Sequence, residues 1–391
     1  MRKNAAKKVR INAIILCIMV TICMLEPMTF SYYHRNIISI GNYSGSTFSL
    51  LILAVWFTYL IFMEKRIPKL FFFMLLFVMY EILTTSANGV YSIVQIPFSA
   101  IEMLAWLTIM FIAYRLVRSA GTIEIILKCG VISAIIFTGY FWKIYLDSTI
   151  NVYGLYNAVY FPLFFLPLVL VAENRIIKWG GIVIAFAMVI VSYKRTAIIF
   201  FGIGMGYYIM HSFFSQKQLY KKLTAFFGIA FIIVFATLLF TYLQNAYELD
   251  WAFRISDAVE TGGSNRVTIW ENMLSAMKEQ SILEWLLGHG YRTTDSFGGA
   301  HNDILEILYD YGIIGFGFYS YFCIQLIYLR NFMKRINYKH LAPYTVSLIF
   351  FFIYSFFGQL IIMPQWFFAL CLLWGILIGD FENCQMQEKL V

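Results

Sequence analysis

Long apolar runs recur along nearly the whole chain, and each is about 17–25 residues long. A run of this length suits a helix that crosses a hydrocarbon core of roughly 30 Å. Lipid offers no hydrogen-bond partners, so a chain that stays in it forms helices or a closed barrel. Barrel strands would be short segments of alternating hydrophobicity. The sequence therefore predicts an all-α polytopic integral membrane protein.

The composition agrees with this fold class. Hydrophobic residues make up 61% of the chain and charged residues 13%, whereas soluble domains carry about 25% charged residues. The six cysteines form no CxxC or Cys/His cluster, so we predict neither a disulfide framework nor a metal site. The formal net charge is +8, but no basic and aromatic surface accompanies it. We therefore expect the lipid bilayer, and no nucleic acid, as a partner.

The apolar runs predict about twelve membrane spans in a single transmembrane domain over residues 1–391. The N-terminal run resembles a signal peptide but lacks a small-residue cleavage site, so we interpret it as an uncleaved first span. The spans are predicted near 11–30, 45–62, 70–86, 98–114, 122–140, 155–172, 179–193, 196–212, 223–243, 303–328, 341–360 and 365–380.

The basic residues predict how these spans are oriented. If the N-terminus is cytoplasmic, every cytoplasmic segment is basic, and together these segments hold most of the 29 Lys and Arg residues. Both termini are then cytoplasmic. The longest outer segment is a large loop over residues 244–302, inserted between spans 9 and 10. Ser264 is expected to cap an amphipathic helix in this loop that ends near Lys278. The apolar stripe of this helix consists of Val267, Trp270, Met273, Leu274 and Met277. A second apolar piece, "SILEWLLG", follows the helix.

Several cations lie on the outer side, against the charge rule. Lys194 and Arg195 stand at the start of a span in "SYKRTAI". Arg266 lies in the first turn of the loop helix, where a cation opposes the helix dipole. Snorkelling at the interface or simple solvation would explain these residues structurally. The alternative hypothesis is a cation cluster that faces an anionic headgroup.

A histidine and a stripe of carboxylates open the next span, in "AHNDILEILYDYG". Asn302 or Asp303 is the expected N-cap. Asp303, Glu306 and Asp310 share one helical face, which is expected to line a cavity or meet basic partners instead of lipid. Acidic residues in a first turn also suit the helix dipole, which is a purely structural reason for them. His301 beside this stripe is a candidate functional residue.

Two further patterns predict packing. Gly312, Gly315 and Gly317 favour close helix approach. Glu124 and Lys128 are four residues apart on one helix and are expected to pair with each other.

Three segments together resemble one family: "SYKRTAI", then "GSNRVTIWENML" with "LLGHGY" after it, then "AHNDILEILYDYGIIGFGF". Their order and their predicted side resemble the O-antigen ligase and O-antigen (Wzy-type) polymerase superfamily of polytopic bacterial membrane glycosyltransferases. The resemblance implies a GT-C-like membrane fold, a place in the bacterial inner (cytoplasmic) membrane and an active site on the periplasmic face.

The resemblance also implies a reaction. A glycan on undecaprenyl diphosphate is the donor, an acceptor hydroxyl attacks its anomeric carbon with inversion, and the lipid diphosphate leaves without a metal or cofactor. Two arginines suit a diphosphate leaving group, and a histidine suits a general base or an orienting group. The implied catalytic residues are Arg195, Arg266 and His301. The predicted substrate-binding residues are Lys194, Arg292, Asn302, Asp303 and Glu306.

We predict a polymerase that joins lipid-linked oligosaccharide repeat units of an O-antigen or capsular polysaccharide, with a chain-length regulator protein as a further partner. One alternative is a ligase that transfers finished glycan to lipid A core or another acceptor. Another is a transporter or flippase for lipid-linked sugars. Transporters usually show internal repeats, and we find none in the sequence.

Overall fold

A computed structural model of the protein describes residues 2–33, 38–40, 43–64, 67–89, 96–120, 123–147, 157–192, 194–214, 241, 266–361 and 363–388. Within these ranges the chain forms thirteen α-helices. They are α1 (Arg2–Tyr33), α2 (Gly45–Met63), α3 (Lys69–Ala87), α4 (Ile96–Ala120), α5 (Glu124–Asp147), α6 (Tyr160–Val171), α7 (Arg175–Val191), α8 (Arg195–Phe214), α9 (Arg266–Lys278), α10 (Ile282–Leu287), α11 (Asp303–Arg335), α12 (Leu341–Phe357) and α13 (Phe368–Glu388).

The prediction of an all-α polytopic membrane protein is confirmed. Seven of the described helices are long and apolar enough to cross a membrane, namely α1–α5, α8 and α11. Beside the helices there is one small antiparallel ribbon of two-residue strands, β1 (Ser39–Ile40) and β2 (Tyr43–Ser44).

Eleven of the twelve predicted spans fall on helices that the structure describes. The span predicted near 223–243 lies, apart from residue 241, outside the described residues. Helices α6, α7 and α12 have 12, 17 and 17 residues, fewer than the roughly 20 that usually cross a bilayer. For these three helices and for α13, a full crossing stays a prediction.

Helix α4 lies at the centre of the bundle. In its most apolar part 72% of the residues are buried, against 17% in α2. It packs on α13, where glycines allow close contact. A Cβ on Gly375 would meet the carbonyl oxygen of Met110, and one on Gly379 would lie 2.8 Å from that of Tyr114. Small residues at helix contacts are a common packing device in membranes.

Helix α11 is broken at Gly312, whose φ of 63° and ψ of −166° are not helical. The break frees backbone carbonyl groups that lipid could not satisfy. The carbonyl oxygens of Tyr309 and Asp310 accept hydrogen bonds from the backbone N–H groups of His289 (3.2 Å) and Gly290 (2.7 Å). The loop before α11 therefore inserts its backbone into the break.

The packing predictions have mixed outcomes. A Cβ on Gly312 would lie 2.5 Å from the carbonyl of Leu286 in α10, and one on Gly315 would lie 3.4 Å from the ring of Tyr80 in α3, so close helix approach is confirmed at both. For Gly317 the described part of the chain shows no close approach, because none of its atoms lies within 4 Å of the Cβ position. The predicted pair of Lys128 and Glu124 is confirmed at 2.6 Å.

The predicted outer loop is described only from residue 266 onward, so residues 244–265, including the predicted cap Ser264, lie outside the described residues. The amphipathic helix is confirmed as α9. Met273 and Met277 are buried, whereas Val267 and Leu274 of the same stripe stay largely exposed. The second apolar piece forms α10, which begins with a capping box at Ser281.

Candidate functional site

The carboxylate stripe at the start of α11 is fully buried. Its first member, Asp303, accepts hydrogen bonds through Oδ1 from the backbone N–H groups of Leu360 (2.7 Å) and Ile361 (3.3 Å). These residues belong to the turn between α12 and α13. Asp303 therefore fastens that turn to the beginning of α11.

Asp310, two turns further along α11, holds a different segment. It accepts hydrogen bonds from the backbone N–H groups of Arg292 (3.0 Å) and Thr294 (3.1 Å) and from the hydroxyl of Thr293 (2.6 Å). Arg292 has a left-handed backbone conformation, with φ of 60°. Asp310 thus stabilises a tight bend in the loop that leads to His301.

Glu306 lies between these two carboxylates on α11 and forms a hydrogen bond with His301 itself. Its Oε1 accepts a hydrogen bond from the backbone N–H of His301 (3.1 Å) and another from the side-chain amide of Gln359. Gln359 packs so closely on Gly299 that a Cβ there would collide with the amide. One buried carboxylate therefore joins the histidine to the turn after α12.

The backbone around His301 is unusual. His301 has φ of 49°, in the left-handed region that residues other than glycine seldom adopt. Asn302, directly after it, is the N-cap of α11 and accepts hydrogen bonds from Ile304 N–H (3.0 Å) and Leu305 N–H (3.2 Å). The predicted cap is thus confirmed. The cap and the bond to Glu306 together hold His301 in its sharp turn.

Helix α9 brings Arg266 to the same place. Trp270 donates a hydrogen bond from Nε1 to the carbonyl oxygen of Ala300 (2.7 Å), the residue before His301. Its ring also contacts Phe356 at the end of α12, with 6.2 Å between the ring centroids. Arg266 lies four residues before Trp270, so both lie on one face of α9.

The electrostatics of His301 reflect these neighbours. Burial lowers the pKa of its imidazole, and the positive charges of Arg266 and Lys194 lower that pKa further. His301 is therefore neutral at pH 7, since its pKa lies below the usual value of about 6.5. A neutral imidazole can accept a proton, and the two cations create a positive potential around it that favours an anionic ligand.

Arg195 is the first residue of α8, directly after Lys194. Helix α8 packs along α12, with 4.7 Å between the ring centroids of Phe200 and Phe350. Phe200 also contacts the ring of Tyr354, whereas Gly204, one turn later, lies against Val346. The two helices therefore run in opposite directions, and the start of α8 lies toward the end of α12. That end also contacts α9 through Trp270. Arg195 thus belongs to the same end of the bundle as Arg266 and His301.

The remaining predicted residues have identifiable partners. Arg292 forms an ion pair with Asp295 at 2.9 Å. Asp303 and Glu306 bond to backbone N–H groups and to an amide, where we expected a cavity or basic side chains. In the described residues neither carboxylate hydrogen-bonds the imidazole of His301. Their part in binding substrate stays a prediction.

Two contributors to the site were not predicted. Gln359 is a single amide in the apolar stretch "FFGQLIIM", and a polar residue between two spans was the available signal. Trp270 was predicted only as a member of the apolar stripe of its helix. Nothing in its spacing indicated a hydrogen bond to Ala300, which is 30 residues away.

We compared the chain with known proteins. Residues 180–320 match the Wzy_C family model, which is described as O-Antigen ligase. The matched stretch runs from α7 into α11 and includes Lys194, Arg195, Arg266, Arg292 and His301. No curated protein matches the chain significantly. Members of the matched family are glycosyltransferase-like enzymes. Residues 180–320 are thus similar to this family over about a third of the chain, and the match supports a place in the superfamily of O-antigen polymerases and ligases.

Proposed function

We propose that the protein is a polymerase of undecaprenyl-diphosphate-linked oligosaccharide repeat units, which transfers the growing glycan with loss of undecaprenyl diphosphate. The observation that carries the proposal is the arrangement around His301. A neutral, partly buried imidazole stands in the positive field of Arg266 and Lys194, at the mouth of a membrane helix.

The proposed reaction uses these charges at the leaving group. As the bond between the anomeric carbon and the diphosphate breaks, negative charge accumulates on the phosphate oxygens. In this proposal Arg266 and Arg195 stabilise that charge, since guanidinium groups bind phosphate through two parallel hydrogen bonds. Lys194, the residue before Arg195, adds a further positive charge. It lies close enough to His301 for its charge to lower the pKa of the imidazole.

His301 is proposed to act on the acceptor. Its neutral imidazole takes the proton of the attacking hydroxyl, or orients that hydroxyl toward the anomeric carbon. Glu306, which itself accepts a hydrogen bond from Gln359, holds the backbone N–H of His301 and so keeps this residue at the mouth of the helix. We further propose that Asn302, Asp303, Glu306 and Arg292 line or support the sugar-binding part of the site. The mechanism as proposed is inverting and requires no metal.

The proposal includes a location. The protein would be a single transmembrane domain in the bacterial inner membrane, with loop 244–302 and the site on the periplasmic face and both termini cytoplasmic. The basic residues of the predicted cytoplasmic segments support this orientation. Labelling single cysteines at residues 278 and 334 in intact cells would test it. The proposed orientation requires that only the first is reached by an impermeant reagent.

Ligation is the second candidate function, because the matched family model is described as O-Antigen ligase. A ligase would use the same leaving group and the same cations, and only the acceptor would differ. The acceptor would be lipid A core or another finished molecule instead of a lipid-linked repeat unit.

The test uses purified protein in lipid nanodiscs with a defined undecaprenyl-diphosphate repeat unit and without nucleotide. Chain extension into a ladder supports the polymerase, and transfer only to lipid A core supports the ligase. A failure to form any product with either acceptor would overturn the enzyme hypothesis. We expect His301→Ala, Arg195→Ala and Arg266→Ala to abolish product formation. Lys278→Ala, at the other end of α9, is the matched control and should retain it.

A further inference from the structure

A cleft opens at the end of the bundle opposite to His301. It has a volume of about 820 Å³ and lies between the start of α5, the turn from α6 to α7, the turn from α11 to α12, and α13. Its mouth is polar, and the ionisable residues that line it are Glu124, Lys128, Glu173, Lys339, His340 and Asp380. None of these residues belongs to the candidate site at the start of α11.

An apolar groove continues this cleft along α5, from Val131 to Thr138. The groove has a volume of about 310 Å³, runs between α5, α6 and α7, and shares Val131 and Ile177 with the cleft. Along α5 the lining extends from Glu124 to Thr138, which is about 20 Å at 1.5 Å per residue. That length exceeds the roughly 15 Å of hydrocarbon in one leaflet.

A glycine pair keeps the groove open. A Cβ on Gly181 would lie 2.8 Å from the side chain of Val169, so this position permits close packing of α6 on α7. Gly180 also lines the groove, and no described atom lies within 4 Å of its Cβ position. A larger side chain at Gly180 would therefore project into the groove without colliding with a neighbour.

The mouth holds a buried imidazole. His340 is only 8% exposed, and its Nε2 has no hydrogen-bond partner among the described residues. Burial, together with the charges of Lys339 and Lys178, lowers the pKa of His340 to about 3. The ring is thus neutral at pH 7 and keeps one N–H group as a donor. A buried polar atom of this kind usually has a partner, which in this cleft a ligand can supply.

Cations outnumber carboxylates around the mouth once its neighbours are included. The lining itself holds two lysines and three carboxylates, and of these Glu124 pairs with Lys128 at 2.6 Å. Three further cations add positive charge next to the lining, namely Lys178, Arg175 and Arg10. Lys339 is exposed beside His340. Basic pockets between membrane helices commonly bind anionic lipid headgroups.

We propose that this cleft binds one anionic phospholipid, with the headgroup phosphate at Lys339 and His340 and an acyl chain in the groove beside Gly180. A polar mouth joined to an apolar channel of leaflet length matches the two parts of such a lipid. In the predicted orientation the lipid comes from the cytoplasmic leaflet, on the opposite side from the glycan donor. This site is independent of the proposed glycosyltransferase reaction.

The test is native mass spectrometry of the purified full-length protein, titrated with phosphatidylglycerol and with phosphatidylcholine of the same acyl chains. The proposal requires one phosphatidylglycerol per chain, bound more tightly than phosphatidylcholine. Gly180→Leu should raise the apparent Kd for phosphatidylglycerol about tenfold, because it fills the groove. Gly139→Leu is the matched control, since Gly139 also has an open Cβ position on an exposed face and does not line the groove.

A second variant tests the headgroup without altering the packing of the bundle. Lys339→Gln should weaken the binding of phosphatidylglycerol about tenfold, through loss of a charge-assisted contact. It should weaken phosphatidylcholine less, because the choline cation of that lipid offsets the charge of its phosphate. Equal binding of the two lipids, or unchanged binding in both Gly180→Leu and Lys339→Gln, would overturn the proposal. Preferential retention of an isoprenyl diphosphate over phosphatidylglycerol would also overturn it, because the cleft would then belong to the lipid-linked substrate.

Discussion

Trp270 donates a 2.7 Å hydrogen bond to the carbonyl oxygen of Ala300, which joins the helix that carries Arg266 to the residue before His301. This contact spans the large outer loop and brings two candidate residues to one place. Their relative position is therefore set by a tryptophan that takes no part in the proposed chemistry. The contact is a direct target for mutation.

Trp270→Phe should lower kcat about tenfold, equivalent to roughly 1.4 kcal/mol of transition-state stabilisation. The ring would still pack on Phe356, but α9 would lose its hydrogen bond to Ala300. The measurement is the initial rate of glycan extension together with the melting temperature. Trp179→Phe, at a largely exposed tryptophan of α7, is the control and should have no effect on rate. An unchanged rate in Trp270→Phe would show that the hydrogen bond does not position Arg266.

Gln359→Leu should destabilise the protein by about 1–3 kcal/mol, because it removes a donor from the buried carboxylate of Glu306. Since Glu306 also bonds to the backbone of His301, activity should fall by more than the loss of folded protein explains. Thermal unfolding and activity per folded molecule are the measurements. Gln365→Leu changes an amide in the same turn that makes no such contact in the described residues, and it should be near neutral. Equal effects of the two substitutions would contradict this role of Gln359.

Gly312→Ala should be among the most damaging single changes in α11. The backbone there has φ of 63°, and the new Cβ would lie 2.5 Å from the carbonyl of Leu286. Gly317→Ala is the matched control in the same helix, because its Cβ position is open. It should be neutral or stabilise the helix by up to about 1 kcal/mol. The yield of folded protein and its melting temperature distinguish the two, and similar values for both variants would argue against the break.

The rate of the proposed reaction should stay high below the usual titration range of histidine. Burial and the charges of Arg266 and Lys194 lower the pKa of His301. The imidazole is therefore half protonated only at a pH below the ordinary value of about 6.5. The acidic half of the kcat/KM profile should therefore have its midpoint below that value. Lys194→Gln removes one positive charge and should move the midpoint to higher pH. A midpoint that stays in place or moves to lower pH in this variant would contradict the prediction.

The same shift has a consequence for stability. Between the lowered pKa of folded His301 and the ordinary value near 6.5, the unfolded chain binds more protons than the folded one. Stability from this group is therefore complete above about pH 6.5 and is lost as the pH falls through the folded pKa. Comparison of melting temperatures at pH 7.5 and pH 5.5 in wild type and His301→Gln measures this contribution. The variant should lose less stability on acidification, and an equal loss would contradict the prediction.

Much of the fold follows from local properties of the sequence. Apolar runs of membrane length predicted the helices. The cap of α11 was narrowed to Asn302 or Asp303, and the structure shows Asn302, because capping depends on residues two and three positions further along. The pair of Glu124 and Lys128 was predicted for the same reason, since helical spacing places the two side chains side by side. Interactions within about one helical turn are thus readable from the chain alone.

The break at Gly312 was not predicted, although the glycine was noted. A glycine in an apolar run favours helix packing as much as it favours a kink. Whether Gly312 breaks the helix or only allows close packing depends on the loop residues His289 and Gly290. Their N–H groups donate hydrogen bonds to the carbonyl groups that the break frees. Those donors lie about 20 residues earlier in the chain, and no periodic pattern connects them to Gly312.

The sequence by itself determined the fold class, the helical positions and the presence of cations and carboxylates near His301, because these depend on composition and short spacing. Only the tertiary structure decided what those groups contact. It turned the carboxylates of Asp303, Glu306 and Asp310 inward to backbone N–H groups from two segments, the turn after α12 and the loop before α11. It also placed Arg266 and Lys194 in the electrostatic environment of His301. Buried charges take the partners that folding brings to them, and these partners lie more than one helical turn away in sequence.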